Sequence, residues 1–429
     1  MPSLPKAFAE RIIEQYPNGQ DILDGLKTAP TFAAFQNPRK SKVNISEPVA
    51  WCAHGEYVEA FPTSDPLMHA GVYFPKEASS QFLDHVLKET LKMENPICLD
   101  VCAAPGGSSL ILQSHLNGKG LLVSNEVNSK RNYTLQENLA KWGYSNKIVI
   151  QAKAESIGWL GPIFDFVLID APSTGEARFR SNHNTREFWN KRDCEQNAKQ
   201  QKEIIDHGKW GLKTGGILVY NTNTFSKEEN EEIVDRLCNR GEFEPVDVPL
   251  EEEWNIEKPL EGAYQFFPHK AKGEGLFMAV LKRVKEVRPA VIKKVQIPIV
   301  SAPKEIKLDE GLVAIRDKKL HAFPEAYLSY IHHLSNVKTH AVGSVLGEQK
   351  GRNFLPDHEV ATALQISHEF PHVDVDRNTA LSYLKKETFR VDGPEGQIII
   401  SYNGHPLGWA KNVGTRINNH YPIAWRLRG

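Results

Sequence analysis

The residues best suited to chemistry fall where strand-like runs end. Asp100 closes the apolar run from Ile97, and the chain then passes through Val101-Cys102-Ala103-Ala104-Pro105-Gly106-Gly107 into a helix-like segment, Ser108 to His115. A Gly pair at a strand-to-helix turn lets backbone N–H groups approach a ligand closely, and the helix start carries partial positive charge. Ala103, Ala104, Pro105, Gly106 and Gly107 therefore form a candidate turn for a nucleotide-type cofactor, although such turns also serve simply to pack a helix on a sheet. About 20 residues further on, where such folds place an acid for ribose hydroxyls, a second run ends at Asn125-Glu126. Glu126 reads as that acid, against the plainer alternative of a solvated carboxylate at a strand end. Asp170, followed by Ala171-Pro172, ends another run and reads as a pocket residue or a turn cap.

These positions need a scaffold that brings strand ends together. Strand-like runs at Ile97 to Asp100, Leu121 to Asn125, Ile148 to Ala152, Phe166 to Asp170, Ile217 to Asn221 and Phe277 to Leu281 alternate with helix-like segments at 108–115, 129–142, 194–213 and 227–239. Continuous apolar strands separated by helices predict a parallel sheet covered on both faces, an α/β class. Ligands in such sheets bind at the carboxyl ends of the strands, so Asp100, Glu126, Asp170 and Asn221 should ring one crevice. An amphipathic helix is expected over Leu4 to Tyr16 and another over Ser79 to Met93.

The 429 residues suffice for two or three domains, and 52 basic against 53 acidic residues leave only local charge asymmetry informative. No apolar run approaches membrane-spanning length and the N-terminus lacks a signal-peptide core, so the expectation is a cytoplasmic protein without membrane association. Cys52, Cys98, Cys102, Cys194 and Cys238 form no Cys-x-x-Cys pair, which argues against a zinc site or a disulfide framework. His332-His333 has no third ligand at suitable spacing, and no metal is expected.

Beyond the sheet, Lys282 to Lys307 carries eight Lys/Arg against two Glu and three prolines, the composition of an extended basic linker. The region after it shows helix-like 325–334 and 357–368 and strand-like 388–391 and 397–402. Its last 34 residues hold Lys411, Arg416, Arg426 and Arg428 and no Asp or Glu, interleaved with Tyr402, Trp409, Tyr421 and Trp425. Phosphate contact plus base stacking on RNA would use such a module; core aromatics with solvated charges are the equal alternative, for Trp409 and Lys411 in particular.

Together the motifs resemble the Nol1/Nop2/Sun RNA cytosine-C5 methyltransferases, most closely the bacterial ribosomal-RNA branch. The resemblance rests on Asp100 to Gly107, Asn125-Glu126-Val127-Asn128, Asp170-Ala171-Pro172, Gly175-Glu176 with Phe179-Arg180, Lys213 to Tyr220, and Thr224-Phe225-Ser226 followed by Glu228-Glu229-Asn230-Glu231. His69 to Phe74 with Glu77 to Ser80, and Pro406 to Gly414 with Asn418-Asn419 and Tyr421-Pro422, extend it over most of the chain. It implies a Rossmann-like S-adenosylmethionine-dependent methyltransferase domain with a small N-terminal region and a C-terminal α+β, PUA-like RNA-binding region. The expected divisions are 1–48, 49–284, a basic linker over 285–307, and 308–429. The implied cofactor is S-adenosyl-L-methionine, held by Ala103 to Gly107, Glu126, Arg131 and Asp170. The implied partner is RNA, ribosomal RNA by the branch, with Trp409, Lys411, Arg416 and Arg426 as candidate contacts.

In this family one cysteine adds to C6 of cytosine, making C5 nucleophilic, and a second helps resolve the adduct. The resemblance aligns the first with Asn223, in Thr222-Asn223-Thr224, and the second with Ser173, after Asp170-Ala171-Pro172. Neither side chain is a thiol. The Lys that follows the Gly pair in the family is Ser108 here, the Asp after the third strand is Ala154 beside Glu155, and an early Arg is Phe35. Three readings follow: an RNA-binding protein that has lost C5 chemistry, an active methyltransferase with another acceptor atom or a non-thiol route, and residual C5 transfer with Cys102 or Cys194 borrowed. Glu176 and Arg180 divide evenly between a local ion pair and RNA contact.

Overall fold

The structure, a computed structural model, describes residues 3–40, 46–60, 64–351 and 353–428. Its centre is a twisted sheet whose strands are β1 (Ile97–Asp100), β2 (Leu121–Asn125), β3 (Lys147–Gln151), β4 (Phe164–Asp170), β5 (Leu212–Thr222), β6 (Phe243–Pro245), β7 (Ala263–Phe266), β8 (Leu276–Arg283) and β9 (Lys338–Val342). The order is β7-β8-β5-β4-β1-β2-β3-β9, with β6 also on β8. The strands β1 to β5 run parallel. They are almost wholly buried, as a sheet covered on both faces requires.

Two features depart from the all-parallel expectation. β8 runs antiparallel to β5, and β7 antiparallel to β8. An apolar run carries no sign of strand direction, so the sequence could not distinguish the two. At the other edge β9, from the C-terminal part of the chain, pairs antiparallel with β3 and completes the sheet.

The helix Gly107–Leu116 follows β1, and Ser129–Trp142 follows β2 with Asn128 accepting from Lys130 and Arg131 N–H as its N-cap and Gly143 closing it in the left-handed region. The long helix Lys191–Gly208 follows β4, and Glu231–Asn239 follows β5. The expected 194–213 helix stops early because β5 begins at Leu212, and the expected 227–239 helix starts late because Tyr220 Oη ties the backbone of Glu229. Before β1, a three-stranded sheet of Phe32–Gln36, Gly55–Val58 and Tyr73–Pro75 and the helix Phe82–Thr90 cover one side. The N-terminal helix, Lys6–Gln15, packs Phe8 and Ile12 against Phe179, Trp189 and Phe225.

After the exposed 285–298 segment, a five-stranded sheet spans Ile299 to Pro356, and a four-stranded sheet contains Gly396–Tyr402 and His405–Asn412 with the helix Arg377–Leu384 against it. The helix expected over 357–368 is only His358–Thr362; Ile366–His368 is extended and pairs with Ile306–Leu308. Residues 388–391 form no strand, although Phe389 and Val391 pack on the same core as Ile398 and Ile400. No helix among the described residues is long and apolar enough to cross a membrane.

Candidate cofactor and reaction site

The carboxyl ends of β1, β2, β4 and β5 do converge. Ala103 N–H donates to Asn125 O at 2.8 Å and Ala171 N–H to Asn221 O at 3.0 Å, so neighbouring strand ends are laced together as they leave the sheet. Asn125 is structural: its side chain donates to Val101 O and Ala152 O and accepts from Ala152 N–H. Gly106 caps the following helix with φ +124°, a conformation that a side chain would strain.

Glu126 is 3% exposed and accepts from Asn128 N–H at 2.8 Å. Arg131 clasps the turn from above, pairing with Glu126 at 3.4 Å and donating to Ala104 O at 2.6 Å, while Asn138 donates to Pro105 O. The solvated-carboxylate alternative for Glu126 is thereby excluded. A cleft of about 340 Å³ opens beside these strand ends, lined among others by Cys102, Asn125, Val127, Lys153, Ala154 and Glu155; Asp100, Glu126, Asp170 and Asn221, expected to ring one crevice, are not among its lining residues, the first two and Asn221 being buried.

Asp100 is fully buried, takes Ser109 Oγ–H at 2.7 Å on one oxygen and leaves the other without a partner. Burial pushes its carboxyl up to about 7, with Asp170 adding and Lys76 opposing. Asp170, partly exposed at the end of β4, accepts from Ser108 Oγ at 3.4 Å.

Ser173 and Asn223 meet: Asn223 N–H donates to Ser173 Oγ at 3.2 Å, and Asn223 O accepts from Ala177 N–H. Behind them lies a buried polar network that the sequence did not announce. Glu176, fully buried, accepts from Trp189 Nε1, Thr224 Oγ1 and Phe225 N–H, each at 2.9 Å, and pairs with Arg11 at 3.3 Å. Arg11 also meets Ser226 at 2.7 Å and Glu228 at 2.6 Å. Glu229 accepts from Thr174 Oγ1 and N–H and from Gln201, and burial with Glu176 nearby raises its carboxyl to about 7.

Glu176 and Arg180 thus serve internal pairing, Arg180 with Glu274 and backbone carbonyls. Cys194 is 1% exposed, hydrogen-bonded to Arg11, and pushed up to about 12 by burial; Cys102 lines the cleft and is raised as well, which disfavours a thiolate at either position. Phe35 stacks on Trp142 within the core.

The C-terminal candidates separate. Trp409 is 3% exposed and its Nε1 donates to Asp357 O at 2.7 Å, so it is a core residue with no face for a base. Tyr421 is buried, and Trp425 packs edge-on against His358 with Lys141 over its ring. These aromatics bind the tail to the rest of the chain instead of offering stacking platforms. Lys411, Arg416 and Arg426 are exposed.

A parallel-centred sheet in this order with a Gly turn after β1 and an acid after β2 is the Rossmann-like fold of S-adenosylmethionine-dependent methyltransferases, here carrying a C-terminal PUA-like region. Residues 88–282 match the family model of 16S rRNA methyltransferase RsmB/F, and residues 370–427 that of the methyltransferase RsmF PUA domain. Ribosomal RNA small subunit methyltransferase F of Vibrio atlanticus (strain LGP32) is 30% identical over 405 residues, 88% of this chain and 85% of that protein. The enzyme of the same name from Aliivibrio fischeri (strain MJ11) is 28% identical over 472 residues, 98% of this chain and 97% of that one. Among solved structures, PH0851 aligns with a TM-score of 0.60 at 21% identity, covering 65% of this chain and 66% of its own. NSun6 from Pyrococcus horikoshii with SFG aligns at 0.57 and 19% identity, over 66% and 99%. The chain belongs to the RsmB/F family of 16S rRNA methyltransferases.

The turn fits the family's cofactor on its own terms. It offers a buried acid at the β2 end for a ribose, a cleft beside it, and an unsatisfied buried carboxylate oxygen on Asp100.

Proposed function

We propose that this chain binds S-adenosylmethionine on Ala103 to Gly107, Glu126, Arg131 and Asp170, and binds ribosomal RNA with Lys411, Arg416 and Arg426 among its contacts. We further propose that it does not perform thiol-dependent C5 transfer. The observation that carries the second part is the contact between Ser173 and Asn223, the positions where the resemblance expects the two cysteines. A carboxamide does not add to C6, and the Ser173 hydroxyl accepts from a backbone N–H without a basic side chain bonded to it among the described residues. The cofactor would supply an electrophilic methyl group; the chain's own residues would hold the ribose at Glu126 and present Asp170 beside the transfer position.

A second reading has one observation in its favour. Asp170 keeps its place at the end of β4, and a carboxylate there can act as a base for methyl transfer to a nitrogen or oxygen, which needs no covalent adduct. Incubating the full chain with labelled S-adenosylmethionine and unmodified 16S rRNA, followed by nucleoside analysis, separates the cases. No labelled 5-methylcytosine is expected. Label in another nucleoside would establish the second reading, and labelled 5-methylcytosine would overturn the proposal.

A further inference from the structure

Lys76, half-buried, lies over the turn between β1 and the helix Gly107–Leu116. Its backbone is fixed on both sides: Lys76 N–H donates to Ala33 O at 3.0 Å, and Gln81 Nε2 donates to Lys76 O at 2.8 Å. The side chain then crosses the cofactor turn over Gly107. A Cβ at Gly107 would lie 2.9 Å from Lys76 Cδ and 3.3 Å from the Phe74 ring, so the stem occupies the space that the missing side chain leaves. Beyond the stem, Nζ donates to Ser108 Oγ at 3.0 Å, and Ser108 Oγ donates on to Asp170 Oδ2 at 3.4 Å.

The ammonium is under-used in this position. It carries three N–H donors, and among the described residues the Ser108 hydroxyl is its one hydrogen-bond partner and no carboxylate pairs with it. A partly desolvated cation with free donors is suited to an anionic ligand group. Asp170 lies one hydroxyl away, and Asp100, with a buried oxygen that has no partner, is close enough to feel the Lys76 charge. A cation and a partly exposed carboxylate on one turn match the two ends of an amino-acid zwitterion: carboxylate to Lys76, ammonium to Asp170.

We infer that Lys76, standing in for the lysine that position 108 lacks, is the specificity-determining cation of the cofactor turn and takes the carboxylate of the cofactor's amino-acid end. Ser108 orients it by accepting its hydrogen bond. This rests on the proposed cofactor site, and the test separates the two. Two probes share the adenosine but differ at the amino-acid end: S-adenosylhomocysteine keeps it, and 5′-methylthioadenosine lacks it.

Calorimetric titration of the full chain with both probes is the experiment. Lys76→Met is expected to weaken S-adenosylhomocysteine at least about tenfold while leaving 5′-methylthioadenosine within about twofold, since a charge-assisted contact is lost for one ligand alone. The exchange variant Lys76→Gln/Ser108→Lys is expected to recover most of the loss. Unchanged S-adenosylhomocysteine affinity in Lys76→Met overturns the inference, as does an equal loss for both probes, which marks a structural role. Wild-type protein that binds neither probe overturns both the cofactor site and the role of Lys76.

Discussion

Replacing Glu229 by Gln should remove a contribution that makes the fold less stable as pH rises. Glu229 is fully buried behind Thr174 and Thr224, next to the positions where Ser173 and Asn223 meet, and its carboxyl is raised from 4.5 to about 7, first by burial and then by Glu176. The network holds Glu176, Glu228 and Glu229 around a single guanidinium, Arg11, which pairs with the first two. A carboxyl whose folded pKa lies above its unfolded value binds its proton more tightly when folded, so stability falls as pH rises between 4.5 and 7 and levels off above. At about 1.4 kcal/mol per unit, that shift costs about 3 kcal/mol at pH 8 relative to pH 4. Gln mimics the protonated acid: its oxygen can accept from Thr174 N–H and Gln201, and its amide can donate to the Thr174 and Thr224 hydroxyls, which rotate to accept. Asp100, also raised to about 7, keeps the same sign of pH dependence and remains in the variant. Thermal melts from pH 5 to 8 should therefore show Glu229→Gln gaining on wild type as pH rises, because buried neutral histidines such as His358, whose contribution has the opposite sign, are shared by both proteins and cancel in the difference. Parallel curves, or a variant less stable than wild type at pH 8, would refute the reasoning.

Arg11→Met should destabilise by about 3–5 kcal/mol in chemical denaturation, because Glu176 stays buried without its cation; a change under 1 kcal/mol would show that the pair contributes little. Lys411→Glu/Arg416→Glu should weaken 16S rRNA binding and lower the salt slope of log Kd by about 1–3 without moving the melting temperature, and an unchanged slope would place the RNA surface elsewhere. Trp409→Phe should cost stability through the lost Nε1 bond to Asp357 O while RNA affinity holds, and selective loss of RNA binding would reinstate it as a contact. With S-adenosylmethionine present, Asn223→Cys/Ser173→Cys should form an adduct with 5-fluorocytosine-containing rRNA, trapped because fluorine replaces the C5 proton that must leave after methyl transfer, and wild type should form none on a denaturing gel; absence of the adduct would count against those two positions.

What was legible in the sequence was what is local. The turn from Ala103 to Gly107 and the acid at Glu126 could be read because glycine and carboxylate at that spacing follow from backbone geometry within one strand-helix-strand unit. The Arg11–Glu176 pair joins residues 165 apart, and no spacing rule reaches that far. The aromatic tail misled for a related reason. Trp409, Tyr421 and Trp425 look alike whether they face solvent or the core, and composition does not tell which face a ring presents. Lys76 carries no such local signal, because its significance depends on its side chain lying over Gly107, a tertiary fact.

The antiparallel pairing of β9 with β3 bears on how the chain is made. A ribosome has to deliver residue 342 before the border of the sheet is closed, long after the strands that hold the cofactor turn have emerged. Until then β3 presents open backbone donors and acceptors, an invitation to intermolecular zippering that nascent-chain holdases would have to shield. Expression fragments ending near residue 285 would carry that raw border permanently and should clump, whereas the full chain, with β9 in place, should stay dispersed.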